Sequence, residues 1–174
     1  MASAREVLCP ALLGKTTAQC PSEEAAVASF TFSQLSPTAF LARSARVFPD
    51  RTAVVDGDRR FTYHEFADRS RRLAGALVGS GIGPGDRVAA LCSNSSAMLG
   101  LHNGVPWAAA VLVPLNVRLS AGELEYIVRH SGARLLVADQ QFAESAAEVA
   151  RAVGIPVVVA GGTGDEYEQW LVGA

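Results

Sequence analysis

Four apolar runs constrain this chain more than anything else in it: RVAALC from Arg87, VLVPL from Val111, RLLVAD from Arg134 and IPVVVA from Ile155. Their starting points, 87, 111, 134 and 155, are 24, 23 and 21 residues apart. That interval is somewhat tighter than the roughly 30 residues of a common strand–helix–strand unit. Each run is almost continuously apolar, the mark of a strand buried on both faces. Helical stretches separate them. Ser95 or Ser96 caps one that runs through Met98, Leu101 and Val105. Ser120 opens a capping box with Glu123, followed by Leu124, Ile127 and Val128 and a stop at Gly132. Asp139 is expected to cap a third helix through Phe142, Val149 and Val153, closed by Gly154. Strands alternating with helices predict an α/β fold: a parallel sheet with helices on both faces, Rossmann-like or flavodoxin-like.

Upstream of the repeat, residues 1–34 carry little periodicity and read as an irregular N-terminal extension, with the folded unit expected over 35–174. Ser36-Pro37 is a helix start, a cap followed by proline at the first helical position. Phe40, Ser44, Val47 and Phe48 share one face of that helix, and Pro49 ends it. TAVVDGDRRFTY reads as a hairpin with Asp56-Gly57 at its turn. Thr62 and Glu65 form a capping box, Phe66, Leu73 and Leu77 line the next helix, and Gly79 and Gly81 stop it.

With 174 residues and 49% hydrophobic content, the chain is long enough to bury one core. No apolar run approaches the ~18–20 residues that cross a bilayer, so no integral membrane segment is expected. VLCPALLG is too short for a span, and Glu6 spoils a secretory leader, which together predict a cytoplasmic protein. A net charge of −2 argues against a nucleic-acid partner or a membrane footprint. Arg69, Arg71 and Arg72 read as a solvated helix face. Cys9, Cys20 and Cys92, odd in number and widely spaced, read as free thiols. Lys15 is the only lysine against fourteen arginines, which removes lysine chemistry from nearly the whole chain.

The glycine clusters carry no nucleotide signature. GSGIGPGDR (79–87) does not fit G-x-G-x-x-G and precedes a strand, where a dinucleotide loop follows one. VVVAGGTGDEYEQW (157–170) does follow a strand, but it has no lysine to reach a phosphate. Asp165, Glu166 and Glu168 follow at once and would meet that phosphate with like charge. His64, His102 and His130 lack metal-ligand spacing, and no G-x-S-x-G elbow or reactive-cysteine pattern is present. The sequence therefore assigns no catalytic, cofactor-binding or metal residue. Three candidates for substrate contact remain. His102 lies on the helix that contains Pro106, with a plain helix-face histidine as the simpler reading. Asn116 and Arg118 follow VLVPL at the carboxyl edge, where open α/β sheets bind ligands. The simpler reading there is a loop fixed by side-chain hydrogen bonds.

Taken in order, FPDRTAV, FTYHEFADRSRRLAGAL, GIGPGDRVA, GVPWAAAVLVPLNVRL and ELEYIVRHSGARLLVAD resemble the N-terminal part of AMP-forming acyl-CoA synthetases, the acyl-adenylate-forming superfamily. The resemblance covers about residues 36–173. SNSSAMLGLHNGVP looks most like the bacterial and plant branch handling short- or medium-chain acids, although NSS at 94–96 stands where relatives usually have Pro-Asn. It implies the first subdomain of the family's large domain, in fatty-acid and lipid metabolism. The family reaction activates a carboxylic acid with ATP and Mg2+ to an acyl-adenylate, then transfers the acyl group to CoA. The family's Ser/Thr/Gly-rich adenylation loop and catalytic lysine lie beyond a segment like DEYEQWLVGA, so no catalytic residue carries over. The expectation is a truncated synthetase that holds no cofactor by itself and does not run the reaction alone. The alternatives are a non-catalytic module that binds full-length synthetases and an independent small-ligand binder of flavodoxin-like form. The uncharged run VVVA would be an exposed sheet edge, which predicts self-association.

Overall fold

The computed structural model describes residues 36–162 and 164–174. The proposed extension, with Cys9, Lys15 and Cys20, lies outside the described residues. Residues Leu35–Ala174 form one compact unit.

Helix α1 (Pro37–Val47) starts where the cap and proline predict, with the Ser36 hydroxyl accepting the Ala39 N–H at 3.2 Å. Its buried side is not the one that Phe40, Val47 and Phe48 share. Leu41 and Ala45 pack with Val54, Phe66 and Ala67, while Phe40, Val47 and Phe48 stay exposed. Both sides of α1 are apolar, and sequence periodicity alone does not say which one meets the neighbouring helix. Strands β1 (Thr52–Asp56) and β2 (Arg59–Thr62) form the hairpin, with Asp56 opposite Arg59. Its two loop residues are therefore Gly57-Asp58, one position later than expected. Gly57 sits at φ 59°, the positive φ that this hairpin loop requires of its first residue. The capping box of α2 (Tyr63–Gly79) is complete: Thr62 Oγ1 accepts the Glu65 N–H, and the Glu65 carboxylate accepts the Thr62 N–H at 2.8 Å.

The apolar runs become β3 (Arg87–Leu91), β4 (Val111–Pro114), β5 (Ala133–Asp139) and β6 (Val157–Ala160). They pair in parallel in the order β4-β3-β5-β6. Relative to chain order this is second, first, third, fourth, the flavodoxin-like arrangement. The intervening helices are α3 (Ser96–Trp107), α4 (Ala121–Ser131) and α5 (Ala143–Val153). These helices have 11 or 12 residues and the strands four to seven, which accounts for the tight repeat. Gly132 and Gly154 end α4 and α5 in the left-handed region, as their positions predict. The third helix begins differently from expectation. A short 3-10 turn, Gln140–Phe142, precedes α5, and the Asp139 side chain makes no capping bond. It is engaged elsewhere.

The two faces of the sheet divide the core by strand alternation. Val88, Ala90, Leu135 and Val137 meet Leu73 and Leu77 of α2 and Leu101 and Val105 of α3. The short helix α6 (Glu166–Val172) adds Tyr167 and Leu171 to the same layer. Ala89, Leu91, Leu136 and Ala138 meet Leu124 and Val128 of α4 and Ala146 and Val149 of α5. Strand β6 lies at one end of the sheet, as its sequence suggests. Its outward edge is not uncharged, however, because the Glu166 carboxylate accepts the Val159 N–H at 3.2 Å.

Helices α2 and α3 approach closely at Gly104. A β-carbon there would stand 2.6 Å from Cδ2 of the fully buried Leu73. Gly104→Ala is therefore expected to destabilise the fold by about 1–3 kcal/mol, overriding the gain in helix propensity. Gly122→Ala, in a helical position with open space around it, is expected to be neutral or stabilising by some tenths of a kcal/mol. Urea denaturation midpoints of the two variants check the contrast.

Candidate functional site

In a sheet of this order, the crevice for a ligand opens at the carboxyl ends of the strands where the connections diverge to opposite sides. Here that point lies between β3 and β5, and a buried carboxylate occupies it. Asp139, the last residue of β5, is 8% exposed. It accepts the Ser93 N–H at 2.7 Å, the Ser93 hydroxyl at 2.6 Å and the Ser95 hydroxyl at 3.3 Å. The Gln141 amide donates to Ser93 Oγ at 3.0 Å and closes the cluster. Ser95 also accepts the Met98 N–H, so the serine that caps α3 is itself held by Asp139. Below this cluster the Cys92 thiol is buried and donates to the Val137 carbonyl. Burial, with Asp139 nearby, pushes its pKa well up, so this sulfur is an inert core group.

The hairpin closes the second side of the site. Asp56 accepts the Ser96 N–H at 2.9 Å and an Arg59 N–H at 3.1 Å. The Ser96 hydrogen bonds, with the Arg59 charge, hold the Asp56 carboxyl below the ordinary aspartate range. Between hairpin and α3 runs an open groove of about 340 Å³, with Val54, Val55, Met98 and Leu99 as its apolar walls and Asp56, Asn94 and His102 as polar ones. His102 is exposed on α3 and lines this groove. Asn116 and Arg118 do not line it. They lie exposed after β4, where Asn116 Oδ1 accepts the Arg118 N–H at 3.0 Å. That bond fixes the loop through the asparagine side chain and leaves the guanidinium with no hydrogen-bond or ion-pair partner among the described residues.

The glycine cluster after β6 does not fit a phosphate. Gly161, Gly162 and Gly164 all have positive φ, and a β-carbon at Gly162 would fall 2.7 Å from Gln140 Oε1. The acids that follow are committed to protein groups. Asp165 accepts the Glu168 N–H, and Glu166 binds β6. Glu168 takes a two-pronged contact from Arg69 at 2.8 and 2.5 Å. The neighbouring cleft measures only about 40 Å³ and is lined by Asp139, Asp165 and Glu168 with Arg59. No triphosphate fits this arrangement.

The predicted solvated arginine face is likewise engaged. Arg69 lies over the Phe61 ring at 4.7 Å, Arg71 lies over Trp107 at 5.2 Å and Arg72 pairs with Asp68 at 2.6 Å. Periodicity places such arginines on the outside of a helix, and the Asp68–Arg72 pair is local to it, but it does not show the Phe61 and Trp107 rings or the Glu168 carboxylate that other elements bring. Among the described residues, no group of three or more His, Cys, Asp or Glu side chains could hold a metal ion. No helix among them is long and apolar enough to cross a membrane. The serine and aspartate roles at the site were missed by sequence reasoning. The available signal was an acid ending a buried strand, paired with a serine-rich turn ending the adjacent one.

A four-stranded parallel sheet of this order, with helices on both faces, defines a doubly wound α/β unit. The chain belongs to the AMP-binding enzyme family, whose signature matches residues 41–171. Acetate/butyrate–CoA ligase AAE7 of Arabidopsis thaliana is 41% identical over 111 residues, covering 64% of this chain and 20% of the relative. 4-Hydroxybutyrate–CoA ligase 2 of Metallosphaera sedula is 40% identical over 118 residues, 68% of this chain and 22% of the relative. Among solved structures, the N-terminal domain of FACL13 from Mycobacterium tuberculosis aligns at a TM-score of 0.71 with 31% identity, over 79% of this chain and 35% of that one. A benzoate CoA ligase from Burkholderia xenovorans aligns at 0.75 with 25% identity, over 81% and 29%. The chain thus spans about a fifth of the length of the curated relatives it matches.

Two substitutions separate the roles of the acids. Asp139→Ala leaves the Ser93 N–H and hydroxyl without an acceptor and is expected to cost about 1–3 kcal/mol. Asp56→Asn should destabilise at neutral pH, and the sign of its pH dependence follows from the depressed pKa. The folded carboxyl ionises below its unfolded value of about 4, so its contribution is present above that pH and is lost as pH falls through the folded value. The gap in melting temperature between the parent and Asp56→Asn should therefore close in acid.

Proposed function

We propose that residues 35–174 serve as the N-terminal subdomain of an acid–CoA ligase acting on small carboxylic acids. The acid is activated with ATP and Mg2+ and passed to CoA by groups outside this segment. The observation that carries the reading is the family match over residues 41–171 together with the strand order that sets the carboxyl-edge crevice. The choice of small acids rests on the relatives, whose names specify acetate, butyrate and 4-hydroxybutyrate. Within this reading Asp139, Ser93 and Ser95 position the β3–α3 turn, and His102 and Asn94 face the groove beside it. Arg118 is the proposed contact for an anionic group at the carboxyl edge. Chemistry on a phosphoanhydride needs cationic stabilisation of its oxygens, and the described carboxyl edge presents carboxylates around its glycine loop. The chain by itself is therefore proposed to be inactive in adenylation and to depend on association, with itself or with a full-length synthetase.

The reading is tested by exchange of segments. Residues 36–171 are substituted for the matching region of acetate/butyrate–CoA ligase AAE7, and acid-dependent thioester formation is measured. Retained activity with the parent acids is expected, and a folded but inactive chimera would count against the assignment. In that chimera Arg118→Ala should raise KM for ATP or CoA about tenfold with kcat little changed, as loss of one charged contact shared by ground and transition states requires. The isolated chain should show no carboxylate-dependent ATP–pyrophosphate exchange above background.

A further inference from the structure

Helix α1 carries a face that no other described element covers. Burial of Leu41 and Ala45 turns the opposite side outward, where Phe40 is 59% and Val47 47% exposed. At 100° per residue these two side chains lie within about 20° of each other around the helix. Arg43 and Arg46 continue the outward side, and both are exposed. Just beyond the helix, Phe48 is 43% exposed with the Arg51 guanidinium 5.8 Å from its ring centroid. From Ser36 to Arg51 the only acid is Asp50. Arg43, Arg46 and Arg51 have no carboxylate partner among the described residues.

We propose that this face of α1 docks on an anionic lipid bilayer. Two exposed phenylalanines and a valine, flanked by three arginines free of carboxylates, match both halves of such a surface. Aromatic rings partition to the headgroup level, while arginines are attracted to anionic headgroups and extend their apolar stems toward the acyl region. Charge complementarity selects this occupant over a second copy of the chain, because the face would bring its own arginines against themselves in a two-fold contact. Val47 and Phe40 favour lipid over a polyanion in water, since a purely electrostatic partner leaves their apolar surface exposed. The net charge of −2 argues against a membrane footprint for the chain as a whole, but this face carries its own local positive charge. Charges farther than a Debye length of about 8–10 Å are screened, so the local cluster governs contact. The inference does not rest on the ligase reading.

The test is sedimentation of the full chain with sucrose-loaded vesicles. Binding is expected with equal parts of phosphatidylcholine and phosphatidylglycerol, little with phosphatidylcholine alone, and release at high salt. Arg43→Gln and Arg46→Gln should each weaken partitioning about fivefold. Phe40→Asp should abolish it without lowering the melting temperature, since Phe40 is exposed. Absence of binding to the anionic vesicles at low salt, or binding unchanged by these three variants, would overturn the proposal. So would a concentration-dependent dimer that Phe40→Asp dissolves in the absence of vesicle binding, which would assign the face to a second copy.

Discussion

The hydrogen bonds to Asp139 are the interaction on which the ligand-facing edge depends. A carboxylate that is 8% exposed keeps its place only if its oxygens find donors, because an unmatched buried charge is strongly unfavourable. Those donors all come from the turn after β3, two and four residues beyond the strand end. The bond across the sheet therefore does more than satisfy one acid. It orders Ser93, holds Ser95 where it can cap α3, and so sets the direction in which α3 leaves the sheet. The Asp56 contact to Ser96 attaches the hairpin to the same helix end. One acid from the sheet and one from the hairpin thus fix the two walls of the groove. Both act on backbone or serine groups rather than on each other, which spares the site a like-charge contact.

How much of this was legible in the sequence depends on the range of the interaction. Local chemistry was readable. The Ser36-Pro37 start, the Thr62–Glu65 box, the Ser95 cap and the glycine stops at 132 and 154 each involve residues within a few positions of one another. The four apolar runs announced a parallel sheet because continuous apolar character demands cover on both faces. Legibility failed where two distant segments compete for one group. Asp139 follows a strand and precedes a helix, and local rules make it a cap. The Ser93 donors, 46 positions away, claim it instead. The buried face of α1 stays open in the sequence for a similar reason, since an apolar residue on either side satisfies the helical period and only packing against α2 and the hairpin selects Leu41 and Ala45.

The stretch after β6 shows the opposite case, in which the acids are legible as charges but their partners are not. By sequence the acids following GGTG read as unfavourable for phosphate. In the fold each one has a specific partner. Glu168 is gripped by Arg69, whose guanidinium also lies on Phe61, so α6 is clamped to α2 and to the hairpin by one side chain. Glu166 binds the edge of β6 and so blunts a strand end that its own residues leave uncharged. These acids seat α6 and the edge of the sheet.

The same commitments limit what the carboxyl edge can offer a ligand. An open sheet offers two resources for catalysis: backbone N–H groups at helix starts, and side chains on the turns that follow its strands. In this chain two helix starts are already taken, α3 by Ser95 and Asp56 and α6 by Asp165. The turn after β3 is tied to Asp139. Among the described residues, only the turn after β4 keeps a charged side chain without a protein partner, and that side chain is Arg118. A segment built this way can hold a crevice in shape and present one cation at its rim. Under the reading proposed above, the several donors that phosphoryl and acyl chemistry needs at one point would come from groups outside the described residues.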